Sequence, residues 1–114
     1  MVTPSAGAVV TVLFPFSDLS SSKLRPAVVL ADSGRGDWVL CQLTSKSYSD
    51  ASAVQIENED FASGSLNLTS YARPGKIFTA NESLMVTQIG KLKDDSFRKV
   101  ANAVIYLLQS NIPI

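Results

Sequence analysis

No histidine occurs anywhere in the 114 residues. That absence removes the usual side chain for acid–base work near neutral pH and the commonest metal ligand, so zinc sites and histidine-dependent triads are excluded. Cysteine is scarce as well: Cys41 is the single one, and no disulfide framework can form. It lies in an apolar run, the habitat of a small buried thiol in a reducing compartment. Net charge is missing too, because ten Lys and Arg balance ten Asp and Glu. No global basic field draws the chain to nucleic acid, and any such role must rest on local clustering. Long hydrophobic runs are also lacking. The apolar opening at 8–14 has no basic leader, is too short to cross a bilayer and is closed by Pro15. The expectation is a soluble, cytoplasmic protein without membrane association, bound metal or cofactor.

What is present fits one domain over residues 1–114, since a chain of this length supports one real core and leaves little for a second. Short β-branched runs at 8–14, 27–31 and 37–43 predict three early strands. A polar loop at 15–22 separates the first two and is too long for a tight hairpin, which frees it to present side chains. The turn-rich 32–36 reads as a hairpin connection. Residues 53–56 alternate as a half-buried strand, 58–73 read as a long connection with little regular structure, and 76–79 and 84–90 complete the set. From Asp94 or Asp95, which can cap a helix, Phe97, Val100, Ala101, Val104, Ile105 and Leu108 recur at helical spacing. The predicted class is mainly β with one C-terminal helix. A further apolar pair on that helix, Tyr106 and Leu107, makes it greasier than a one-sided surface helix requires, and burial in a dimer interface accounts for this.

Two segments carry chemistry. Lys23-Leu24-Arg25-Pro26-Ala27-Val28-Val29-Leu30 sets a guanidinium beside a proline, where the backbone is held extended. The guanidinium's planar fork suits phosphate oxygens. Leu43-Thr44-Ser45-Lys46 ends the next strand with hydroxyls and a cation. Charge is segregated although it sums to zero: Lys23, Arg25, Lys46, Arg73 and Lys76 sit in these and similar segments, and Glu57, Glu59 and Asp60 form one acidic run. That run is a solvated loop rather than a metal site, because a hard cation needs further oxygen ligands. Ser20-Ser21-Ser22-Lys23 satisfies a Ser-x-x-Lys pattern, but a serine-rich loop produces it readily and no other part of a serine acyl enzyme accompanies it.

In order along the chain, Gly7-Ala8-Val9-Val10, Phe14-Pro15-Phe16-Ser17-Asp18, the Lys23 to Leu30 segment and Leu43-Thr44-Ser45 resemble the MazF/PemK toxins. Gly64-Ser65-Leu66, Ser70-Tyr71-Ala72-Arg73-Pro74-Gly75-Lys76-Ile77-Phe78-Thr79 and Ile89-Gly90-Lys91-Leu92 extend the resemblance over almost the whole chain. It implies a small SH3-like β-barrel with helices packed on it, a homodimer, and a metal-independent endoribonuclease cutting single-stranded RNA at short sequences. Such a protein is the toxin of a toxin–antitoxin pair, held by a cognate antitoxin with a flexible acidic tail. Carried over by position, the catalytic arginine is Arg25 and the catalytic hydroxyl Thr44, with 16–23 flanking the RNA groove. The chain departs from the pattern in two places: Ala8 stands where many relatives have an acid, and Arg73-Pro74-Gly75-Lys76 lacks a carboxylate that some relatives use.

RNA cleavage without a metal requires the 2′-hydroxyl to attack the adjacent phosphorus while added negative charge is stabilised and two protons are handled. Arg25 suits the charge, but a guanidinium does not give up its proton. The base is then Asp18, ranked first, with Lys23, Lys46 or water as alternatives. Phe16, Lys23, Ser45, Lys46, Arg73 and Lys76 are the candidate RNA contacts, and Phe16, Tyr48 and Tyr71 the candidate stacking surfaces. Two other functions compete. A related family with the same barrel poisons DNA gyrase by binding it, and a barrel that has lost its base serves as a binding module.

Overall fold

The computed structural model describes residues 2–15, 22–46 and 50–114. Among the described residues seven strands form one antiparallel sheet: β1 (Ala8–Pro15), β2 (Ser22–Gly34), β3 (Asp37–Thr44), β4 (Val54–Ile56), β5 (Phe61–Gly64), β6 (Ser70–Asn81) and β7 (Met85–Leu92). Their order across the sheet is β4-β6-β3-β2-β1-β7-β5. With β4 and β5 as free edges, backbone pairing makes a curled half-barrel rather than a closed one. One helix, α1 (Asp94–Gln109), follows.

Alternation along the strands sorts side chains onto two faces. Val9, Val28, Cys41, Leu43, Ala72 and Leu92 pack with Val100 of α1, so this face lies under the helix. Val10, Val12, Ala27, Val29, Leu40, Ala80 and Met85 make the core of the opposite face, with Trp38 and Phe78 against it. Trp38 is therefore a barrel residue, and its indole N–H donates to Glu82 Oε2 at 3.4 Å.

Three expectations are corrected. The ladder between β1 and β2 runs to Pro15↔Ser22, so β2 begins well before position 27 and Lys23 and Arg25 lie inside a strand. The hairpin then closes on Arg35 and Gly36, both at positive φ, as a two-residue turn matching strand twist requires. The connection at 58–73 is not irregular: a 3₁₀ turn at Asn58–Asp60 leads into β5, and β6 starts at Ser70. Phe61 is buried against its neighbours and stands opposite Leu92, a tertiary pairing that local propensity does not reveal. Finally, neither Asp94 nor Asp95 caps α1. Lys93 is the N-cap residue and makes no side-chain cap. Both aspartates lie in the first turn, where they complement the helix dipole. The start of the helix is held instead by Asp60, whose carbonyl accepts from Lys93 N–H at 2.8 Å and whose carboxylate accepts from Ser96 Oγ at 2.7 Å. Of the expected helix stripe, Val100 and Val104 are buried, whereas Ile105 and Leu108 are exposed along with Tyr106.

Candidate active site

The β2–β3 ladder pairs Val29↔Leu40, Val28↔Cys41 and Ala27↔Gln42, and it ends there. The next residue of β2 is Pro26, which has no N–H to donate. Past that rung lies a cavity of about 370 Å³. It is lined by Leu24, Arg25 and Pro26 of β2, Leu43 and Thr44 of β3, Ser45 and Lys46 just beyond, and Leu66, Leu68 and Ser70. Consecutive residues of two neighbouring strands can line one cavity only where it opens between their edges. The site is a notch in the sheet, created where a proline interrupts the ladder.

Register places Arg25 and Thr44. Val12 is opposite Arg25 on one side of β2. Continued two residues past Ala27↔Gln42, the β2–β3 register sets Arg25 across from Thr44. Thr44 is directly opposite Tyr71 of β6, and Tyr71 is opposite Gln55 of β4. Residues on opposed rungs share a face, so Arg25, Thr44, Tyr71 and Gln55 form a row across four strands, turned away from α1. The side chains between them in sequence, Leu43, Ala72 and Val54, pack under the helix.

Within the row, Arg25, Thr44 and Tyr71 are half-buried and Gln55 is exposed. Thr44 Oγ1 accepts from the Lys46 N–H at 3.2 Å, which leaves the hydroxyl proton for a ligand. Ser45 and Lys46 are exposed at the mouth of the notch, and Lys23 is exposed two residues from Arg25 on its face. Arg25, Thr44, Ser45 and Lys46 thus line one cavity. Arg73 and Lys76 do not line the notch. They sit in a β6 bulge, between Ala72 opposite Leu43 and Ile77 opposite Cys41, so Arg73-Pro74-Gly75-Lys76 is a distortion of a strand rather than a loop. The Arg73 guanidinium lies 3.4 Å from Asp50 Oδ2. Hydrogen bonds from Ser52, then the Arg73 charge, hold the Asp50 carboxyl below its ordinary range. Phe16, Asp18 and Tyr48 fall outside the described residues.

The sequence reading missed the apolar wall. Leu66 and Leu68 belong to the β5–β6 connection, which turns at Asn67 in the left-handed region. Its one signal in the sequence is Gly64-Ser65-Leu66, a part of the family resemblance. Beyond Leu68 a second cavity of about 270 Å³ is lined by Glu57 and Glu59. A hydrogen bond and charge repulsion from Glu57 push the Glu59 carboxyl up. The cationic notch therefore borders an acidic ledge.

Comparison with known proteins agrees with this architecture. Residues 5–108 match a family described as PemK-like, MazF-like toxin of type II toxin–antitoxin system. No curated protein matches the sequence significantly. Among solved structures, a mycobacterial endoribonuclease in complex with its cognate antitoxin is 20% identical with a TM-score of 0.72, covering 97% of this chain and 100% of that one. A MazE–MazF structure from Deinococcus radiodurans is also 20% identical, with a TM-score of 0.75 and coverage of 93% and 96%. The Mycobacterium tuberculosis toxin MazF-mt6 gives 17%, 0.65, 88% and 96%. At these identities the likeness establishes a shared fold.

Proposed function

Because this chain belongs to the PemK-like, MazF-like toxins of type II toxin–antitoxin systems, we propose that it is a sequence-specific, metal-independent endoribonuclease acting on single-stranded RNA. The observation that carries the reading is that Arg25 and Thr44, from strands whose ladder has just ended, flank one notch with Ser45 and Lys46 at its mouth. In the proposed reaction the ribose 2′-oxygen forms a bond to the adjacent phosphorus and the bond from phosphorus to the 5′-oxygen breaks. The 2′-hydroxyl loses its proton to a base, the leaving oxygen takes one up, and the products are a 2′,3′-cyclic phosphate and a 5′-hydroxyl.

Arg25 stabilises charge on the phosphoryl oxygens. A preorganised donor aimed at developing charge is worth roughly 3 to 4 kcal/mol. Thr44 adds an oriented O–H whose other side is fixed by the Lys46 N–H. Asp18, beside the groove in the family pattern, is assigned as the base. Lys23 and Lys46 supply phosphate contacts, and Phe16, by its place in the family pattern, is a further RNA contact. Arg73 and Lys76, off the notch on the β6 bulge, extend these contacts to more distant phosphates.

We further propose that the toxin works as a cytoplasmic homodimer, which would cover some of the exposed apolar side chains on α1, Ile105, Tyr106 and Leu108. Its partner would be an antitoxin whose acidic tail competes with RNA for the notch. The test is to incubate the purified protein with a long single-stranded RNA of mixed sequence in chelator and to map the ends. Discrete cuts leaving a cyclic phosphate and a 5′-hydroxyl are expected. Random cuts, or cuts that need added metal, would refute the reading.

A further inference from the structure

Tyr71, a candidate stacking surface by sequence, takes no part in the bond-making steps above, yet the sheet sets it on the face that carries them. Its neighbours Ser70 and Ala72 are buried, Ala72 in the core under the helix, whereas Tyr71 is half-exposed and by strand alternation lies on the face of Arg25 and Thr44. It stands directly opposite Thr44 on one flank and Gln55 on the other. Among the described residues its hydroxyl has no hydrogen-bond partner, so no polar contact fixes the ring as part of the scaffold. Arg25 is two strands away, no less than about 10 Å by strand spacing, a distance at which an RNA strand held by its scissile phosphate carries a neighbouring base.

We infer that the Tyr71 ring is a stacking platform for a nucleobase flanking the scissile phosphate, and that the Gln55 amide meets that base's edge. The inference rests on the reading of the chain as a single-strand endoribonuclease. Stacking suits the site because every base has a π face and an aromatic ring on an open sheet face accepts it. Gln55 lies on the edge strand β4, exposed, with an amide that offers both a donor and an acceptor. That amide already donates to Glu57 Oε1 at 3.1 Å, which orients its carbonyl oxygen as a free acceptor. Glu57 and Glu59 lie just beyond and repel a phosphodiester, so the platform ends the cationic row and receives a base rather than a backbone phosphate.

The experiment follows the mapped cut. Single-turnover cleavage is measured on an RNA containing one mapped site, and on a series in which one nucleotide at a time beside that site is replaced by an abasic residue. For the wild type, one abasic position should slow cleavage by an order of magnitude or more. Tyr71→Ala should slow cleavage of the intact RNA by on the order of 10- to 100-fold and should be insensitive to that same abasic position, because ring and base then belong to one interaction. Tyr71→Phe should retain most of the activity. Equal sensitivity to every abasic position in wild type and Tyr71→Ala overturns the inference while leaving the nuclease intact. Loss of activity in Tyr71→Phe overturns it in favour of a role for the phenol oxygen. A wild type that cuts none of these RNAs removes the nuclease reading and the platform with it.

Discussion

The thiol of Cys41 donates to the carbonyl oxygen of Arg73 across the β3–β6 bulge, at 3.2 Å. That carbonyl lies in the bulge, and the thiol is a donor to it from a fully buried position. Cys41→Ala should destabilise the fold by about 1 to 2 kcal/mol, through loss of the buried sulfur's packing and of its hydrogen bond. Burial pushes the Cys41 thiol up from 9.0 to about 11. The folded chain therefore holds this proton more tightly than the unfolded chain does. The associated stability is complete below the unfolded value and is lost as pH rises through about 11. Denaturant titrations of wild type and Cys41→Ala should give a constant stability gap at neutral pH that narrows as the solution becomes strongly alkaline.

Gly64 of β5 has φ +72°, and a Cβ there would meet the Ile89 carbonyl oxygen and lie 2.7 Å from the Gly90 Cα. The backbones of β5 and β7 touch at this pair of glycines, and the connection leaving Gly64 carries Leu66 and Leu68 to the notch. Gly64→Ala should cost on the order of 3 kcal/mol, combining left-handed strain with overpacking. A fall in thermal midpoint measures it, and RNA cleavage should fall at temperatures where the variant is still folded.

Much of this site was legible because its residues lie in locally patterned segments. The apolar alternation around Ala27 and Leu40 fixes which face each strand buries, and that parity puts Arg25 and Thr44 on one face. Tyr71's place opposite Thr44 was not legible. The register at Cys41↔Ile77, continued without interruption, would set Thr44 against Pro74, and only the bulge at 73–76 brings Tyr71 there. Bulges answer to tertiary packing rather than to the local pattern. The sequence does not show β5 for a related reason: four residues ending in Gly64 carry little propensity, and Phe61 is held by its place beside Leu92.

Thr44 separates hydroxyl chemistry from shape. Thr44→Val keeps the β-branched outline on β3 but removes both the acceptor for the Lys46 N–H and the donor proton. Single-turnover cleavage should drop by roughly tenfold or more, consistent with loss of one oriented hydrogen bond. Thr44→Ser should recover most of the rate. A Thr44→Val variant as active as wild type would show that the hydroxyl only ties down the strand end.

Arg25 decides between chemistry and architecture. Its strand position is held by the rung to Val12 and by the buried run that follows, so removing the guanidinium need not unmake β2. Arg25→Ala should lose roughly 10²- to 10³-fold in cleavage rate, with a circular dichroism spectrum and thermal midpoint close to wild type. Arg25→Lys should restore little, because an ammonium retains the charge but not the planar fork that meets two phosphate oxygens at once. If Arg25→Ala instead unfolds the domain, the guanidinium is a structural ion-pair member. If Arg25→Lys is fully active, charge alone suffices and bidentate geometry has no part in the reaction.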